Sequence, residues 1–73
     1  MEIEITVFKN SGKYYTNDIV KSDTDIWLFK DEFIQFVKDN LPAKIGEGFV
    51  TVRDTRDDQS FHIALYKYEE LFG

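Results

Sequence analysis

Phe49-Val50-Thr51-Val52-Arg53-Asp54, followed after an acidic turn by Phe61-His62-Ile63-Ala64-Leu65-Tyr66, is the stretch whose reading decides the fold. Both segments are rich in β-branched and aromatic residues and alternate in polarity, the pattern of half-buried strands. The segment between them, Asp54-Thr55-Arg56-Asp57-Asp58-Gln59-Ser60, is a solvated loop by composition. The pair therefore predicts a hairpin with strands near 48–54 and 60–67. Alternation places Val50 and Val52 on one face of the first strand. It groups Phe61, Ile63 and Leu65 on one face of the second, which is expected to anchor the hairpin to the core and leave His62 and Tyr66 facing away. Gly46 and Gly48 allow a tight entry into the first of these strands.

Working outward, Glu2-Ile3-Glu4-Ile5-Thr6-Val7 alternates strictly, with Ile3, Ile5 and Val7 on one face and Glu2, Glu4 and Thr6 on the other. Asn10-Ser11-Gly12-Lys13 carries turn chemistry. It predicts a first hairpin whose second strand covers residues 13–20. After the polar break Ser22-Asp23-Thr24-Asp25, the residues Phe29, Phe33, Phe36 and Val37 recur at i, i+4, i+7 and i+8, one face of an amphipathic helix. Pro42 ends it, because residues before proline avoid the helical region. The predicted helix runs near 28–40, with Trp27 and Ile34 off its main stripe. A short helical turn in the tail would pack Leu71 and Phe72 back on the domain. The expected fold is α+β: a single domain over 1–73, two-layer ββαββ, with one amphipathic helix packed on one face of a four-stranded antiparallel or mixed sheet.

The chain has 73 residues and no cysteine, so disulfides and thiolate metal sites are excluded and stability must come from apolar burial. Seven Phe, four Tyr and one Trp supply the bulk for a small core. Self-association would add burial that so short a chain lacks, so a homo-oligomer is a candidate state. With 14 acidic against 9 basic residues the net charge is −5, and the basic residues are scattered, with Lys30, Lys38 and Arg53 directly beside acids. Direct nucleic-acid binding is not expected, since gripping phosphates requires a Lys/Arg surface. No apolar run approaches the length of a membrane span, and the first residues lack the features of a secretory signal. The expectation is a protein that stays in the cytoplasm where it is made.

No reaction is encoded in a recognisable motif, and an enzyme is not expected. His62, the sole histidine, could serve as a general base only beside a nucleophile or substrate. Asp54, Asp57 and Asp58 offer carboxylates, but not at the spacing of an EF-hand, and Arg53 and Arg56 compete for them. Neither a metal nor a cofactor is expected. Gly46-Glu47-Gly48 lacks the following helix that gives phosphate loops their anion affinity. Tyr14-Tyr15 and Tyr66-Lys67-Tyr68 are candidates for stacking on a base, with packing as the plainer role.

Lys9-Asn10-Ser11-Gly12-Lys13-Tyr14-Tyr15, Asp31-Glu32-Phe33-Ile34-Gln35-Phe36-Val37, Gly48-Phe49-Val50-Thr51-Val52 and Phe61-His62-Ile63-Ala64-Leu65-Tyr66-Lys67-Tyr68 together resemble small uncharacterised phage- and prophage-encoded proteins of Gram-positive bacteria. The resemblance implies early or accessory phage functions in the bacterial host cytoplasm and carries over no site. Two function classes follow. The first is a non-enzymatic interaction protein that binds and modulates or inhibits a host protein, including anti-defence action or mimicry of phosphates or nucleic acid. Its contact residues would be Asp54, Asp57 and Asp58, with Glu2 and Glu4 where the sheet face takes part. The second is an oligomer that binds a small ligand such as a nucleotide messenger through Tyr15, Arg53, Arg56, His62 and Tyr66. An oligomeric structural component of a virion is a third possibility.

Overall fold

The strict alternation of residues 2–8 becomes the centre of the molecule. In the computed structural model, which describes residues 1–27, 29–55 and 63–72, β1 (Glu2–Phe8) is hydrogen-bonded on one side to β2 (Tyr14–Lys21) and on the other to β3 (Phe49–Asp54). β3 in turn pairs with β4 (Ile63–Lys67), giving a four-stranded open sheet of order β2-β1-β3-β4. All three pairings are antiparallel, which resolves the antiparallel-or-mixed alternative. Helix α1 (Lys30–Asp39) lies between β2 and β3 in the chain, and a second helix, α2 (Tyr68–Phe72), follows β4. The fold is α+β with two helices instead of one: the turn expected in the tail forms as α2 and buries Leu71, whereas Phe72 stays 43% exposed, its ring stacked on that of Tyr68.

The β1–β2 turn is made as its residues require. The Gly12 N–H donates to the Lys9 carbonyl at 2.8 Å, and Gly12 adopts φ +86°. The Lys9 N–H donates to the Lys13 carbonyl at 2.9 Å, closing a three-residue loop whose last residue is left-handed, a common hairpin connection. One step into the ladder the register slips. Val7 pairs with Thr16 and Phe8 with Tyr14, so Tyr15 is the extra residue of a β-bulge.

Ile3, Ile5 and Val7 of β1 and Val50 and Val52 of β3 are completely buried. The same cluster takes in Phe33 and Val37 of α1, Tyr68 and Leu71 of α2, and Ile26 from the segment before α1. At roughly 1.5–3 kcal/mol per fully buried aliphatic or aromatic side chain, this cluster is the dominant favourable contribution to a domain this small.

α1 begins later than its periodicity predicts. Phe29 is its N-cap in an extended conformation, φ −131° and ψ 121°, and is 64% exposed, although the stripe of phenylalanines assigns it to the core. Trp27 and Ile34, off that stripe, are partly buried against the core instead, and the Trp27 ring lies 4.8 Å from that of Phe33. The reason is local. The Asp25 carboxylate accepts the Trp27 N–H at 3.0 Å, a turn that brings Ile26 and Trp27 inward and delays the first helical residue. At the other end Asn40 closes the helix, its Nδ2 donating to the Phe36 carbonyl at 2.8 Å, two residues before Pro42.

The hairpin of β3 and β4 forms, but with β4 facing the opposite way from the expectation. Val50 pairs with Tyr66 and Val52 with Ala64, so Ala64 and Tyr66 share the buried face and Tyr66 packs 6.1 Å from the Phe33 ring. Leu65, expected to be an anchor, is 64% exposed on the other face. A strand cannot place both sets of its alternating side chains against one core. Tyr68, only 7% exposed, and Leu71 continue the inward set through α2, which outweighs the more apolar look of the odd-numbered set.

Gly48 is where the connector meets the sheet. It has φ +99°, is buried, and donates no Cβ; one built there would stand 2.0 Å from the Phe8 carbonyl oxygen. Its own carbonyl accepts the Tyr68 N–H at 2.8 Å. The Gly46-Glu47-Gly48 segment is thus a close backbone crossing that ties the start of α2 to the end of β1.

Candidate interaction surfaces

The surfaces outside the core that the described residues form include the open face of the sheet and a groove between α1 and the segment leading into it. The open face is built from the outward residues of β1 and their cross-strand partners. Its first row sets Ile19, Glu4 and Arg53 side by side. Its second sets Asn17, Thr6, Thr51 and Leu65 side by side, and its third Tyr14, Phe8, Phe49 and Lys67. Arg53 Nε donates to Glu4 Oε1 at 3.1 Å, with side chains 34% and 28% exposed. The Asn17 amide donates to Thr6 Oγ1 at 2.8 Å. Phe8 and Tyr14 meet edge to face at 6.5 Å. Around these satisfied polar pairs stand apolar side chains in water: Tyr14 is 62%, Ile19 52% and Leu65 64% exposed.

The groove, about 360 Å³, is lined by Thr24, Asp25, Ile26, Phe29, Glu32 and Phe36. Its floor is apolar and its charged residues, Asp25 and Glu32, are both acids. Asp31 directly precedes Glu32 in sequence, and Asp23 lies two residues before Asp25. The Ser22 hydroxyl accepts the Thr24 N–H at 3.3 Å and donates to the Thr24 carbonyl at 2.8 Å, shaping the turn at its edge.

The residues singled out from sequence divide differently from either expected set. Asp54 is 4% exposed on the buried side of β3, so it is a strand residue and not a solvated loop carboxylate available for contact. Glu2 is exposed, with its carbonyl accepting both the N–H and the hydroxyl of Thr55 at 3.1 and 3.2 Å. Glu4, assigned to a protein-contact set, and Arg53, assigned to a ligand set, are ion-paired to each other. Tyr15 sits at the bulge with Lys9 Nζ 5.6 Å from its ring centre. Tyr66 lies on the opposite side of the sheet from Arg53, in an open cleft of about 370 Å³ with Trp27, Lys30, Phe33 and Ala64. Asp57, Asp58, Arg56 and His62 lie outside the described residues. Arg53 and Tyr66 therefore do not converge, and Tyr15 stands on the far side of β1 from β3.

No protein-family model, no curated protein and no solved structure matches this chain. Among the described residues no group of three or more His, Asp or Glu side chains is placed to hold a metal ion, and no helix is long and apolar enough to cross a membrane.

Sequence reasoning passed over the groove because Phe29 fits the helical stripe so well. The signal that could have found it is Asp25, a turn-former placed two residues before Trp27, which implies that the chain is still turning where the periodicity already counts helix.

Proposed function

We propose that this chain is a small non-enzymatic interaction protein that binds a Lys/Arg-rich amphipathic segment of another protein in the groove of Ile26, Phe29 and Phe36. The observation that carries the reading is Phe29, a large apolar side chain 64% exposed at the lip of an apolar groove whose charged residues are all acidic. An apolar anchor surrounded by one sign of charge favours a partner with apolar side chains ringed by the opposite sign, because desolvation then leaves no charge unpaired. The resemblance to phage proteins supports a host protein as that partner, and modulation or inhibition of it, in the host cytoplasm, as the consequence. Of the acids expected to mimic phosphates Asp54 is buried, and in this reading the rim acids Asp25 and Glu32 supply carboxylates of that kind at the groove. The frame for this reading is the two-layer ββαββ arrangement, supported by the burial of Phe33 and Val37 together with Ile5 and Val52.

Titration of the isotope-labelled protein with basic amphipathic peptides, followed by amide chemical shifts, tests it. Shifts should cluster on residues 24–36, Phe29→Ala should weaken binding about tenfold or more as a buried aromatic anchor does, and Glu32→Lys should weaken it most at low salt. Shifts elsewhere, or affinity indifferent to both changes, would sink the assignment.

A second reading, a planar small ligand, rests on the cleft where Tyr66, Trp27 and Phe33 offer rings beside Lys30. Thermal-shift measurements against nucleotides separate the two: a ligand at 100 times its Kd stabilises the fold by about 2.7 kcal/mol.

A further inference from the structure

The geometry points to the open face of the sheet as a homodimer interface, formed face to face about a two-fold axis running parallel to the strands between β1 and β3. The surface is distinct from the groove around Phe29 and does not depend on it.

A two-fold along the strands turns one sheet over while keeping each row at its own level. β1 then lies over the partner copy's β3, and β2 over its β4. Glu4 comes over Arg53 of the second copy and Arg53 over Glu4, because these two are cross-strand partners at one level. Thr6 and Thr51 face each other in the same way, as do Phe8 and Phe49. The next column outward sets the Tyr14 ring against Lys67, which pairs with Phe49 in the same row. Each contact occurs twice, as an isologous interface requires. A two-fold across the strands instead reverses the rows and sets Glu4 and Arg53 against the aromatic row, burying charge against rings.

Charge favours a second copy in another way. The chain carries a net −5, yet the open face sets Lys21, Arg53 and Lys67 against Glu2 and Glu4. Within the paired rows acids do not outnumber bases, and Glu47 and Glu69 stand only at their edge, beside Phe49 and Lys67, so row-to-row contact does not set surplus acid against surplus acid. Four strands about 4.8 Å apart and about 20 Å long give each copy a projected footprint of about 400 Å². Two such footprints, before side-chain relief is counted, fall at the weak end of specific interfaces. Aligned sheets cross at about 30°, which keeps the central β1 and β3 rows over each other and fans only the outer strands.

Sedimentation equilibrium of the full chain from micromolar to millimolar concentration should show reversible dimerisation, with concentration-dependent amide shifts at Thr6, Thr51 and Leu65. Glu4→Arg gives a chain with two cations in the first row, and Arg53→Glu one with two anions. Each alone should self-associate at least tenfold more weakly while keeping a dispersed amide spectrum. Mixing them should restore association, as a one-to-one heterodimer. A wild-type chain that stays monomeric throughout overturns the proposal. So does a mixture of two folded variants that remains monomeric, and so does dimerisation of the wild type that moves amides of α1 and leaves the open face unchanged.

Discussion

Replacing Gly48 with alanine puts the severest test on this account of the fold, because the residue is constrained twice. Its φ of +99° lies in a region that L side chains rarely adopt, a conformational cost of about 1–2 kcal/mol. The added Cβ would stand 2.0 Å from the Phe8 carbonyl oxygen, 3.1 Å from its carbonyl carbon and 3.3 Å from the Lys9 Cα. All three are backbone atoms, so no rotamer change relieves the clash. The strand end or the connector must move, at the cost of about 1–3 kcal/mol typical of overpacking. Movement of the connector also stretches the 2.8 Å hydrogen bond from Tyr68 N–H to the Gly48 carbonyl, which holds the start of α2. The combined loss, about 2–5 kcal/mol, is comparable to the whole stability of about 3–5 kcal/mol expected of a domain this size. Gly48→Ala should therefore be largely unfolded at 25 °C. Gly12→Ala is the matched control: φ is +86° there, but nothing lies within 4 Å of the added Cβ, so it should lose only the conformational part, about 1–2 kcal/mol. Urea unfolding followed by circular dichroism measures both. Equal losses for the two variants, or a loss below about 1 kcal/mol at Gly48, would refute the close crossing of the connector over β1.

The two faces of β4 should respond oppositely to truncation. Tyr66→Ala should cost about 2 kcal/mol or more by emptying space beside Phe33, whereas Leu65→Ala should change monomer stability by less than about 0.5 kcal/mol in dilute solution; the reverse ranking by chemical denaturation would mean that β4 is turned over. In the middle of the sheet, Ile5→Ala should cost about 2–5 kcal/mol and leave little folded protein, while Ile5→Val should cost about 0.5–1.5 kcal/mol, both read from urea midpoints. Arg53→Ala should cost at most about 1 kcal/mol, and the loss should shrink in molar salt, since its partner Glu4 is only half-buried; a salt-independent loss would point to packing of the Arg53 stem instead. Asn40→Ala should remove about 0.5–1.5 kcal/mol by leaving the Phe36 carbonyl without its side-chain donor, with amide exchange quickened in the last turn of α1 and not in the sheet.

Periodicity is a local property, and what it governs was legible along the chain. Alternation over residues 2–8 marked which β1 side chains share a face, Gly12 marked the turn that follows, and Phe33 and Val37 marked the buried stripe of α1. These follow from strand and helix geometry, which sets the angle between successive side chains whatever the surroundings. Nothing in that geometry says which of two faces is the inner one. For β4 the choice between Leu65 and the pair Ala64 and Tyr66 as the inward set was made by pairing with Val50 and Val52, and by Tyr68 and Leu71 continuing that set. The same holds for Phe29, which matches the stripe but caps the helix from outside, and for Asp54, which composition places in a loop and β3 buries. Strand order, and with it the row that brings Glu4 beside Arg53, comes from contacts between residues some fifty positions apart in the chain. A sequence read by itself thus determined the elements and the residues that travel together on each. Only the tertiary structure decided which face each element turns to the core, because that depends on partners that local pattern does not name.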